Sequence, residues 1–191
     1  MSDVKLSPEG LLEFGTQVYI KAGVPESDAR LLADTLVQSD LWNIQSHGVM
    51  RMGWYSARLK AGVCNPIAMP LTMVDAGAIT VWDGGDALGQ VLTERATREA
   101  MNRARQYGIG AVSLRNSGHF GAAFYFVRKA ASEGFICFLT SNSTADVAPP
   151  PCRSDCCTRP SHLPPSGTPI RPRHPAPVPQ QPPALHTRRG A

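Results

Sequence analysis

The stretch GIGAVSLRNSGHFGAAFYFVRKAASEGFICFLT, from Gly108 to Thr140, decides the fold class. GAVSL reads as a strand, Asn116-Ser117-Gly118 as a turn, Phe120 to about Ser132 as a helix, and FICFLT as another strand. A strand, a helix and a strand in that order can place the two strands parallel in one sheet. Upstream, LTMVD and AITVWD read as short strands parted by Ala-Gly, and a helix from about Leu88 to Gln106 leads into GAVSL. The expected class is α/β: an N-terminal helical segment followed by a mixed β-α-β-α-β layer.

The helical segment has its own punctuation. Ser7-Pro8-Glu9 combines a capping hydroxyl, proline at the first helical position and an acid in the first turn. Leu11, Leu12, Phe14, Val18 and Tyr19 supply the expected apolar face, and Gly23 the stop. A second helix is expected from about Pro25 to Leu41, with Leu31, Leu32, Leu36 and Val37 facing inward. A third is expected over SHGVMRMGWYSARLKAG, Ser46 to Gly62.

Composition divides the chain of 191 residues at about residue 148. Residues 1–148 carry 13 Lys+Arg against 14 Asp+Glu, whereas residues 149–191 carry six Arg and one Asp. The excess positive charge therefore sits in the tail, and the near-neutral body gives no support for a nucleic-acid partner. Thirteen of the 17 prolines also fall in residues 149–191, a composition that reads as disordered or polyproline-like. No apolar run reaches the ~18 residues of a membrane span, and MSDVKLSPEG lacks a signal-peptide core. A soluble, cytoplasmic protein with no membrane partner is expected. Cys64 and Cys137 read as small apolar residues rather than as a disulfide framework. CRSDCC in the tail lacks the spacing of a zinc site, so no metal is expected.

Two constellations carry chemistry. His47, Arg51 and Tyr55 recur every four residues, so on a helix they share one stripe. A guanidinium can hold a carboxylate bidentately and an imidazole can exchange a proton near neutral pH. Together they suit a small acid with a reacting carbonyl, hydroxyl or imine beside its carboxylate. Ser46 can cap the helix or hydrogen-bond the imidazole. The competing reading is a solvated helix face. The second constellation, RNSGHFGAAFY, follows a strand and opens a helix, where backbone N–H groups favour anions. There His119 reads as a second proton carrier or a cofactor contact, the alternative being an ordinary strand-to-helix turn. Neither GIGAVSLRNSG nor DGGDALG fits GxGxxG, so a Rossmann-type site has no support.

SHGVMRMGWYSARLKAGVCNP, VWDGGDALGQ and GIGAVSLRNSGHFGAAFYFVRKAASEGFICFLTSNSTADVAP, in that order, resemble the malate/L-lactate dehydrogenase family of the second type. The resemblance runs from about Leu6 to Pro150. It implies a non-Rossmann oxidoreductase, usually a homodimer, that uses NAD or NADP on small 2-keto or 2-hydroxy acids. It implies His47, within the motif Ser46-His47-Gly48, as a proton donor to the substrate oxygen, and Arg51 as the grip on its carboxylate. Tyr55 would line the pocket. His119 is assigned the acid/base role in some members, and the run His119, Phe120, Gly121, Ala122 and Ala123 contacts the cofactor, as does Ser143. The choice between His47 and His119 stays open.

Members of that family continue past VAP through a Gly-rich stretch, whereas this chain continues as PPCRSDCCTRPSH. Codons for Arg153 to Arg159 read one base later permit Gly-Arg-Thr-Ala-Val-Leu-Gly. The expectation is a partial, impaired oxidoreductase domain at residues 1–148 and a frameshifted tail at 149–191. The alternative is a non-catalytic fragment whose basic, proline-rich tail serves as a binding arm.

Overall fold

The Ser7 hydroxyl accepts a hydrogen bond from the Gly10 N–H at 3.0 Å, and Pro8 takes the first helical position. From there the computed structural model of the chain describes residues 6–142. Helix α1 spans Pro8–Lys21 and α2 spans Glu26–Leu41. The buried stripe of α1 passes through Gly15, Thr16 and Tyr19. Phe14, expected on that stripe, is 61% exposed, because each residue turns the helix by about 100° and Phe14 falls one position to the side. In α2, Leu32, Leu36 and Val37 are buried as expected, and Leu31 packs partly buried at the margin of the core.

The stretch from Ser46 to Gly62 is not one helix. It forms two 3-10 turns, Gln45–His47 and Val49–Arg51, and then α3, Met52–Lys60. The break is at Gly48, whose ψ of −160° is extended. Asp40 explains it. Its carboxylate accepts the Val49 N–H at 2.9 Å, and a Cβ on Gly48 would lie 1.7 Å from Asp40 Oδ1. The acid at the end of α2 thus caps the second turn while filling the space a side chain would need.

Strands β1, Leu71–Ala76, and β2, Ile79–Ala87, pair antiparallel. Helix α4, Gly89–Tyr107, crosses to β3, Ala111–Ser117, which pairs parallel with β2. Sheet order is β1-β2-β3, and all six residues of β1 are exposed. Helix α5 spans Ala123–Ser132 rather than starting at Phe120, because Gly121 has a φ of 82° that no α-helix passes through.

FICFLT, expected as a strand, is not one. Among the described residues it has no pairing partner, and Ile136 and Phe138 are 105% and 91% exposed. A continuous apolar run supplies the tendency, but a strand exists only through a neighbour's hydrogen bonds.

The core joins the four helices α1 to α4. Tyr19, Leu32, Leu36, Met52, Tyr55, Leu59, Leu88 and Val91 bury one another, with Cys64 among them. Cys137 is only partly buried. Each large apolar side chain there contributes about 1.5–3 kcal/mol on transfer from water. No helix among the described residues is long and apolar enough to cross a membrane.

Gly48→Ala should therefore lower stability by about 1–3 kcal/mol in urea denaturation, since Asp40 must leave the Val49 N–H. Gly53→Ala, in α3 with nothing within 4 Å of its added Cβ, should be neutral or stabilising. Equal effects at the two glycines would contradict the Asp40 account.

Candidate active site

Two segments distant in sequence meet over the first turn of α4. Gly89 opens that helix, and a Cβ there would lie 2.2 Å from the Gly118 carbonyl oxygen and 2.5 Å from the His119 carbonyl carbon. Only hydrogen fits, so the Asn-Ser-Gly-His turn rests directly on the helix backbone. The end of β3 is held from the other side. Asp83 Oδ2 accepts from Arg115 Nε and Asn116 Nδ2, each at 2.9 Å. The Gly85 N–H first, then Arg115 and Asn116, keep the Asp83 carboxyl below its ordinary pKa.

His119 is thereby presented to Tyr55. The Tyr55 hydroxyl lies 2.7 Å from His119 Nδ1, and the Gly121 N–H donates to the same nitrogen at 3.2 Å. A backbone N–H can only donate, so Nδ1 is the unprotonated nitrogen, Tyr55 donates to it, and Nε2 carries the hydrogen. That tautomer is inferred from the bonding pattern. Tyr55 is buried, and burial pushes its pKa up to about 12. The hydroxyl stays protonated, as a donor must.

His47 stacks beside His119, ring centroids 5.5 Å apart and planes 22° apart. Ser46 Oγ lies 2.9 Å from His47 Nδ1 and makes no cap. Of the two roles open to Ser46, the structure has the imidazole contact. Burial first, then Arg51, lowers the His47 pKa. Burial first, then His47, Arg51 and Arg58, lowers that of His119. Both rings are therefore neutral at neutral pH, and both resist protonation because burial first, and neighbouring cations second, penalise the charged form.

Arg51 donates through Nε to the Ser46 carbonyl oxygen at 2.7 Å, folding back over the broken turn. Among the described residues its two Nη groups make no hydrogen bond and it forms no ion pair. They can still grip a carboxylate. His47, Arg51 and Tyr55 thus converge although no single helix carries them.

Of the remaining expected residues, Phe120 lies 6.3 Å from the His119 ring and against Phe126. Gly121 and Ala122 are buried, and Ala123 is the first residue of α5. Among the described residues no side chain caps the opening amides of α5. Ser143 and the tail lie outside the described residues.

Three further residues belong to the site. Trp54 meets the edges of Tyr55 at 4.9 Å and His119 at 5.8 Å, with Arg58 over its ring at 4.8 Å and Arg51 at 5.8 Å. The four-residue step from Trp54 to Arg58 was the available signal. The third, Gln90, follows Gly89 and is fully buried beside Gly121. Its place at the end of VWDGGDALGQ gave no hint of this.

Residues 6–158 match the family described as malate/L-lactate dehydrogenase, past the Pro150 at which the motif resemblance ends. A malate dehydrogenase from Pyrococcus abyssi is 37% identical over 146 residues, 76% of this chain and 40% of that protein. An L-sulfolactate dehydrogenase from Methanocaldococcus jannaschii is 36% identical over 144 residues, 75% of this chain and 42% of that protein. The structure of malate dehydrogenase from Pyrococcus horikoshii OT3 superposes with a TM-score of 0.67 at 37% identity, over 69% of this chain and 38% of that one. The chain thus spans about 40% of the length of the curated relatives it matches.

Arg58→Gln should raise the His119 titration midpoint, read from imidazole nitrogen shifts by NMR, because a cation that opposes protonation is removed. Arg30→Gln, on the exposed side of α2, should leave it unchanged. An unmoved midpoint in Arg58→Gln would contradict the electrostatic reading.

Proposed function

The chain belongs to the malate/L-lactate dehydrogenase family, and on that premise we propose that it carries the proton-exchanging and carboxylate-holding part of an oxidoreductase for small 2-keto and 2-hydroxy acids. The observation that carries the reading is the pairing of a His119 ring held at Nδ1 with an Arg51 whose Nη groups are uncommitted. One end of the substrate is an anion, the other a carbonyl that gains a proton on reduction.

In this reading the Arg51 Nη groups hold the substrate carboxylate, and the adjacent keto oxygen faces Nε2 of His119. Nε2 faces the substrate: in reduction the imidazolium gives its Nε2 proton and keeps one on Nδ1, from which the Tyr55 hydroxyl turns to accept a hydrogen bond. In oxidation that Nδ1–H form takes the proton back at Nε2. His47 stacks on the ring and Ser46 orients His47. Trp54 walls the cleft on the side of Arg51 and Arg58.

A nicotinamide dinucleotide, NAD or NADP, fits the small residues Gly121, Ala122 and Ala123 and the uncapped first turn of α5, whose amides favour phosphate. When bound in reduced form it supplies the hydride to the carbonyl carbon. His119, Phe120 and Ala123 are the residues proposed to line its binding surface. Residues 1–148 are proposed as the part that holds this chemistry, and 149–191 as a Pro/Arg-rich segment outside it, on composition.

The pH dependence has a definite sign. Reduction needs the His119 cation, so its rate should fall as pH rises through the lowered His119 pKa. Oxidation needs the neutral ring, so its rate should fall as pH drops below that value. Arg51→Ala should raise KM for 2-keto acids about 10- to 100-fold, the worth of a charge-assisted bond. Arg30→Ala should leave KM unchanged. Steady-state kinetics over a panel of 2-keto acids tests both. An Arg51→Ala KM no higher than that of Arg30→Ala would remove the clamp from the account.

A further inference from the structure

Gln90 is the second residue of α4, and its side chain is wholly enclosed. Neither its Nε2 nor its Oε1 has a hydrogen-bond partner among the described residues. A carboxamide brings two donors and an acceptor into the interior, and leaving all of them unpaired is costly. A leucine or methionine would fill the same space without that cost. An expense of this kind next to an active site points to a role there.

The surroundings define the role. A Cβ placed on Gly121 would sit 3.7 Å from Gln90 Nε2. The amide lies near enough to the Tyr55 hydroxyl to favour the ionised phenol against the larger effect of burial, although no hydrogen bond joins the two side chains as placed. Gln90 therefore adjoins both of the groups that donate to His119 Nδ1. The terminal torsion of glutamine is soft, so its amide plane turns at little cost.

We propose that Gln90 is a positioning residue whose Nε2–H donates to the Tyr55 hydroxyl oxygen, and so keeps the Tyr55 O–H directed at His119 Nδ1. A phenol free to turn can accept a hydrogen bond from a protonated Nδ1 as readily as donate one to it. A phenol whose oxygen already receives the Gln90 amide is kept as a donor, which disfavours the doubly protonated imidazolium. Gln90 touches no reacting atom. It acts through Tyr55 on the protonation of His119.

The charged and titratable groups facing this pair are few. His47 comes from the first 3-10 turn, Arg51 from the second and Arg58 from α3, all three opposing protonation of His119. Around Tyr55 lie Arg51, Arg58, Cys64 and, from α1, Tyr19. Gln90 is the uncharged member of the set, so replacing it by an apolar residue alters hydrogen bonding without altering charge.

The kinetic consequence rests on the acid/base reading of His119, whereas the structural consequence does not, and the two are read separately. In the unmodified 191-residue chain, NMR should show cross-relaxation between the Gln90 side-chain amide protons and the Tyr55 ring, with slow exchange of those protons. Gln90→Leu and Gln90→Met should each keep or increase denaturant stability and raise the His119 titration midpoint. Where turnover is measured, the pH limb should move up with it while KM stays unchanged. A raised midpoint with a motionless kinetic limb would refute the acid/base reading and leave the Gln90 assignment standing. An unchanged midpoint in a folded variant, or absence of the Gln90–Tyr55 cross-relaxation in the unmodified chain, overturns the assignment itself.

Discussion

The contact on which the site depends is the one between Gly89 and the backbone of Gly118 and His119. A helix backbone and a turn backbone meet there with no side chain between them, at a spacing that excludes even a methyl group. The residues on either side of Gly89 use that closeness. Leu88 enters the core with Tyr55 and Leu59, Gln90 lies against Gly121, and Val91 returns to the core one turn later. One helical turn thereby sets the height of His119 relative to Tyr55. A larger residue at position 89 would lift the turn and separate the two rings before it disturbed anything else.

Electrostatics then determine what the site can do. His47 and His119 stack closely enough that protonating both is unfavourable, and Arg51 and Arg58 add positive field from one side. Neither arginine is paired with a carboxylate among the described residues. A cleft of this kind attracts an anion, and a bound carboxylate would offset the positive field that adds to burial in keeping the imidazoles neutral. Binding of an anion there and protonation of the imidazoles are coupled in the same direction. Elsewhere on the surface several cations are matched: Arg103 bridges Asp75 and Glu99, and Arg95 pairs with Asp28.

Sequence reasoning succeeded where the determinants are local. Ser7-Pro8 starts α1 through a hydroxyl and a ring that act within three residues, and the turn at Gly77-Ala78, one residue past the expected Ala-Gly, joins β1 to β2. It failed where a partner lies far along the chain. The break at Gly48 depends on Asp40, and no periodicity reveals that a carboxylate fills that space. FICFLT has the short apolar run of a buried strand, but its state depends on neighbours the pattern does not encode. The residues of the site were legible as types, since His47, Arg51, Tyr55 and His119 stood out by chemistry and by family motif. Their meeting was not. Tyr55 and His119 are 64 positions apart, and Gln90 acquires significance only once it is seen buried between their supports.

The central claim is that the two motifs form one hydrogen-bonded unit through Tyr55 and His119, and a double-mutant cycle on stability tests it most directly. Tyr55→Phe, His119→Ala and the double variant would be compared by denaturant unfolding in the same buffer. The account predicts a coupling free energy of about 1 kcal/mol, the net worth of a hydrogen bond between contacting groups. Additivity within about 0.3 kcal/mol would mean that the two side chains do not act on one another, and would contradict it.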